Sequence, residues 1–65
     1  MNETQILQYI VDAIEKLRRD NEGFLAAGRA DGFDEYRHVC GVIRGLTFAE
    51  SIIKDLAQKL ELADD

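Results

Sequence analysis

Apolar residues recur along the chain at intervals of three and four, and proline is absent throughout. That period keeps one side of a helix apolar, so the chain is expected to be α-helical throughout. In the N-terminal half, Ile6, Ile10, Ala13 and Leu17 follow a 4-3-4 spacing, with Leu7, Val11 and Ile14 running beside them, which makes a wide apolar face. Thr4, or Asn2 before it, can cap this first helix, and Asp12 and Glu15 are among its polar positions.

The stretch "RRDNEG" at 18–23 then interrupts the face with six consecutive residues, none of them apolar. Two outcomes are open. The helix continues, straight or bent, through a solvated stretch into "FLAAG", or Asn21 and Gly23 end it and Phe24 to Ala27 form a separate turn. Continuation is favoured, because apolar residues resume at Phe24, Leu25, Ala26 and Ala27, one heptad after Leu17.

The clear break is "GRADGFDEY". Gly28 suits the left-handed position past a helix end, and Asp31 can cap a new helix with Asp34 and Glu35 in its first turn, where the helix dipole favours negative charge. A connection this short joins antiparallel neighbours. The pattern therefore predicts one all-α domain over residues 1–65, an antiparallel helical hairpin with a helix at about 4–28, a turn at about 28–32 and a helix at about 32–62. The second helix is the more regular. Val39, Val42, Leu46, Ala49, Ile53, Leu56, Leu60 and Ala63 keep the 3-4 spacing of a coiled-coil seam, and this row is the expected hairpin seam. The tail "ELADD" loses the pattern and is expected to fray.

A second row on the same helix, Gly41, Gly45, Phe48 and Ile52, also follows a 4-3-4 spacing, offset from the seam by more than a quarter turn. Each helical glycine costs roughly 1 kcal/mol relative to alanine, so two in one turn need a reason. Either they make room for a bulky residue of the first helix, such as Tyr9 or Phe24, or they admit the backbone of a second subunit, with Phe48 and Ile52 as anchors. Size favours the second account. Sixty-five residues lie near the lower limit for a chain that folds alone, and one seam hardly offsets ordering costs of roughly 1.5 kcal/mol per residue. A homodimer forming a four-helix bundle would bury both rows, so the expected partner is a second copy or a larger assembly.

Composition narrows the choice of staple and partner. The single cysteine, Cys40, cannot form an intrachain disulfide, and with the single histidine, His38, it falls short of a structural zinc set. A free thiol fits a reducing compartment. The start "MNETQILQYIVDAIEKL" lacks the features of a signal peptide, and no run is long enough to span a bilayer, so a soluble chain is expected. A net charge of −5, with Lys16, Arg18 and Arg19 followed directly by Asp20 and Glu22, points away from nucleic-acid binding.

Little in the chain suggests chemistry. His38 and Cys40 lie two apart, a spacing that points helical side chains in different directions, so they do not make a Cys-His pair. Cys40 reads as a small buried apolar residue and His38 as a surface one. Glu35 and His38 in "EYRH" match one Glu-x-x-His element of a di-iron bundle, but the first helix brings no inward glutamate to join them. No enzyme activity, cofactor or metal is expected. Phe33, Tyr36 and Cys40 fall along one flank near the turn, where they either close the hairpin end over Phe24 and Ala27 or form an aromatic hot spot; closure is the favoured expectation.

The stretch from Phe33 to Glu61, "FDEYRHVCGVIRGLTFAESIIKDLAQKLE", resembles the second helix of small helical proteins of tailed bacteriophages. Those proteins combine a D-x-x-E-Y-R start with C-G-x-I-x-G-L-x-x-A and a leucine-rich end. Asp31, Asp34, Glu35, Tyr36, Arg37, Cys40, Gly41, Ile43, Gly45, Leu46 and Ala49 carry the likeness, with Asp31 four residues before Glu35 rather than three. It covers under half of the chain and leaves the first helix without a counterpart. It implies a phage or prophage origin, a place in the virion or the bacterial host cytoplasm, and no catalytic residues. Two functions follow. One is a structural or assembly protein working through helix-to-helix contacts. The other is a host-directed regulator whose acidic helical surface blocks a bacterial enzyme such as RNA polymerase, a nuclease or a defence protein.

Overall fold

Helix α1 (Glu3–Ala26) starts at Asn2 rather than Thr4. The Asn2 side chain accepts from the Gln5 backbone N–H at 2.8 Å, and the Gln5 side chain accepts from the Asn2 backbone N–H at 3.0 Å. This reciprocal box satisfies two donors that a helix start would otherwise leave unpaired. The helix continues without a break through 18–23, where Lys16–Asp20, Glu15–Arg19 and Arg18–Glu22 pair at successive i,i+4 positions. It closes at Gly28, whose φ of 69° lets the Gly28 N–H reach the Leu25 carbonyl and the Arg29 N–H reach that of Phe24.

Helix α2 (Phe33–Ala63) begins after Gly32, which has φ 104°. Its first bond runs from the Tyr36 N–H to the Gly32 carbonyl, so Gly32 occupies the position expected of a capping Asp31. The computed structural model describes residues 1–63, and among these there is no strand. The expected fraying of "ELADD" is not seen as far as Ala63, and its last two residues lie outside the described part.

The two helices pack as an antiparallel hairpin, with Glu15 and Arg18 of α1 paired to Lys54 and Glu50 of α2. Its extents are 51 × 17 × 13 Å. Among the described residues only Val11 and Val39 are buried apolar residues. Leu7, Ile14 and Leu25 of α1 and Ile43, Leu46, Ile53 and Leu60 of α2 are half-buried around them. The radius of gyration is 15.0 Å, against about 11 Å for a compact chain of this length. The accessible surface is 5148 Å², against about 4,200 Å² for a compact monomer of this mass. The hairpin is thus a folded unit with very little interior.

Two glycines of α1 and its exit have opposite roles, and substitution separates them. Gly23 lies exposed within the helix, where an added Cβ meets nothing within 4 Å, so Gly23→Ala is expected to stabilise by about 1 kcal/mol. Gly28→Ala places a side chain on a left-handed backbone and is expected to cost about 1 kcal/mol. Urea midpoints moving in opposite directions would verify both expectations.

Candidate protein-interaction face

The expected seam of Val39, Val42, Leu46, Ala49, Ile53, Leu56 and Leu60 is rotated in the structure. Val39 is buried and Leu46, Ala49, Ile53 and Leu60 are half-buried, but Val42 and Leu56 are exposed. Ile43, Glu50 and Ala57, each one residue further on, take the inner positions. The row 39-43-46-50-53-57-60 has the same helical period, but Glu50 hides it from an apolar count. The apolar arc of α2 is wider than one neighbouring helix can cover, so part of it remains outside.

Glu50 is accepted inside because cations face it. Its Oε1 accepts from Arg18 Nη1 at 3.2 Å and from Lys54 Nζ at 3.3 Å, while Oε2 has no partner. Burial pushes the Glu50 pKa up, but hydrogen bonds from Lys54 and Arg18 and their charges outweigh it and hold the carboxyl below its ordinary value. A lowered carboxylate pKa stabilises the fold above the unfolded value, about 4.3, and that contribution is lost as pH falls through the folded value. Arg18→Met is therefore expected to melt lower than wild type at pH 7, with the gap narrowing at pH 3. Adding Glu50→Leu to it should restore stability, because an apolar pair leaves no uncompensated charge. Melting curves of the three chains at both pH values check this.

The charged pairs define one side of the hairpin, and the exposed apolar residues define the other. Successive helical residues advance about 100°. On α1, Ile6, Ile10, Ala13 and Leu17 lie about a quarter turn back from the buried Leu7, Val11 and Ile14. On α2, Val42, Gly45, Ala49, Ile52 and Leu56 lie about a quarter turn back from the inner row. In an antiparallel pair, the same rotation about each helix's own axis leads to the same side of the hairpin. Both unpaired rows therefore share one face, with Tyr9 at one rim and Phe48 at the other.

That face is open. Ile6, Ile10, Leu17, Val42 and Leu56 are exposed, with Ile52 at 68% and Phe48 at 62%. No charged residue falls within either row. A Cβ added to Gly41 or Gly45 would meet nothing within 4 Å, so neither glycine makes room for Tyr9 or Phe24 inside the hairpin. Tyr9 is itself exposed, and Phe24 is half-buried with the Arg29 guanidinium 5.7 Å from its ring centre.

Phe33 and Tyr36 do not close the hairpin end. They are 70% and 48% exposed, with ring centres 6.5 Å apart, and Arg37 lies 5.8 Å from the Phe33 ring centre. Their places in the first turn of α2 put them outside the seam, and Arg29 covers Phe24 in their stead. The Tyr36 pKa is raised, first by a hydrogen bond with half-buried Cys40. His38 is exposed. Among the described residues no three of His, Cys, Asp and Glu converge as metal ligands, and no helix is long and apolar enough to cross a membrane. No protein-family model, curated protein or solved structure matches the chain.

Proposed function

We infer that this chain is a non-catalytic structural or assembly protein of the phage type, in which hairpins join through their apolar faces into a helical bundle. The observation that carries this reading is the face itself. Two unpaired apolar rows, one per helix, lie exposed on one side of a hairpin whose only buried apolar residues, among those described, are Val11 and Val39. Contiguous apolar surface of more than a few hundred Å² marks a contact with another molecule. Gly41, Gly45, Phe48 and Ile52 fall at its α2 edge, where the glycines admit close approach and the two large side chains supply anchors. The virion or the host cytoplasm is the proposed setting, on the likeness of α2 to phage proteins.

A second reading, the host-directed regulator, draws support from Phe33 and Tyr36 standing exposed beside Arg37, since aromatic and arginine side chains dominate binding hot spots. Helix melting at chain concentrations spanning about 100-fold separates the two, because association makes the melting temperature rise with concentration. Self-assembly predicts that rise. A well-formed helix with a concentration-independent melt would leave the apolar face to a foreign protein and favour the regulator.

A further inference from the structure

The surplus surface of the hairpin and the taper of its apolar face together specify an occupant and its orientation. The hairpin exposes 5148 Å², roughly 900 Å² more than a compact monomer of its mass. One partner in a standard protein interface contributes about 800 Å². Burying about that much against a second copy of this chain, laid face to face, would bring the exposed surface of each chain close to that of a compact monomer and complete two helical layers.

Side-chain volume is not evenly distributed along the face. Ile6 and Ile10 of α1, with Ile52 and Leu56 of α2, fill the half towards the open end of the hairpin. Leu17 of α1 lies near the middle, beside the Arg18–Glu50 pair. The half towards the turn carries Val42, Gly45 and Gly41, and a Cβ at either glycine would find open space. Phe24, the large side chain near the turn, lies under Arg29. If two copies met with their turns at the same end, bulk would oppose bulk at one end and glycine would oppose glycine at the other, and the hairpins would splay. With turns at opposite ends, the bulky half of each copy lies over the glycine half of the other, and the interface closes at uniform spacing. In this arrangement residue i of one copy meets residue j of the other and j meets i, as a two-fold axis requires.

We propose that the chain forms a symmetric four-helix dimer in which the two hairpins pack through this face with their turns at opposite ends, Ile6 and Ile10 of each copy over Gly41 and Gly45 of the other. This rests on self-association through the same face and adds its orientation. A nitroxide at the hairpin tip reads that orientation directly. Asp31 is exposed and forms no side-chain hydrogen bond or ion pair among the described residues, so the label is attached to Asp31→Cys in a Cys40→Ser background, and dipolar distances are measured by pulsed electron paramagnetic resonance alongside solution mass. Turns at opposite ends, in this register, separate the two tips by roughly 60 Å at 1.5 Å rise per residue. Turns at the same end bring them within about 25 Å, since packed helices lie about 10 Å apart. A single long distance is the expected result. A short distance, or a mixture of short and long, overturns the orientation while leaving association intact. A monomeric mass with no dipolar signal overturns association itself.

Discussion

Ile52→Asp is expected to reduce self-association by at least about 100-fold, giving a chain that sediments at 7.4 kDa under conditions where wild type is assembled. Ile52 is 68% exposed on the hairpin and lies within the apolar row of α2, so a carboxylate there is solvated in the single hairpin and should leave it foldable. In the proposed dimer the same carboxylate would lose its water without gaining a cation, and by symmetry this would happen twice. Gly45→Leu is expected to act in the same direction by a different cause. It improves helix propensity by about 0.8 kcal/mol but holds the facing backbone away. A variant that is more helical as a monomer yet poorer at associating would separate interface loss from helix loss. Sedimentation and circular dichroism on the two variants provide the check, and unchanged mass in both would remove the α2 row from the interface.

Leu46→Asp is expected to abolish the fold. Leu46 lies in the inner row between Ile43 and Glu50, on the side of α2 that faces α1. Truncating a core leucine costs about 2–5 kcal/mol before any charge is added. A domain of this size commands only about 3–10 kcal/mol of total stability. With Val11 and Val39 the only buried apolar residues among those described, the rest of the interior offers little to absorb that loss. Loss of the helical signal at 25 °C is the expected observation. A folded Leu46→Asp chain would mean that α2 meets α1 through a different row.

The hairpin was legible in the sequence because its two signals are local. The three-four period identifies helices, and Gly28 supplies the left-handed exit whose paired bonds to Leu25 and Phe24 end α1. Continuity through "RRDNEG" was harder to read because no apolar residue marks it. It is supported by pairs at i,i+4 and by Arg18 reaching across to Glu50, and the second of these depends on the fold. The inner seam was partly misread for the same reason. A count of apolar residues selects Ala49 over Glu50, and only the facing Arg18 shows why a carboxylate belongs inside. Nor does the sequence say which of the two α1 rows, Leu7-Val11-Ile14 or Ile6-Ile10-Leu17, turns inward. That choice leaves Ile6, Ile10 and Leu17 beside Val42, Ile52 and Leu56 on a common face. Phe33 and Tyr36 were placed over the hairpin end on flank position alone, whereas the turn at Gly32 starts α2 with both on the outer side.

Solution mass across a dilution series, by light scattering after size exclusion, tests most directly whether the apolar face is a self-interface. Assembly through that face predicts twice 7.4 kDa at high concentration, falling towards the single-chain mass on dilution with loss of helix stability. A fully helical chain of single mass at every concentration would contradict it.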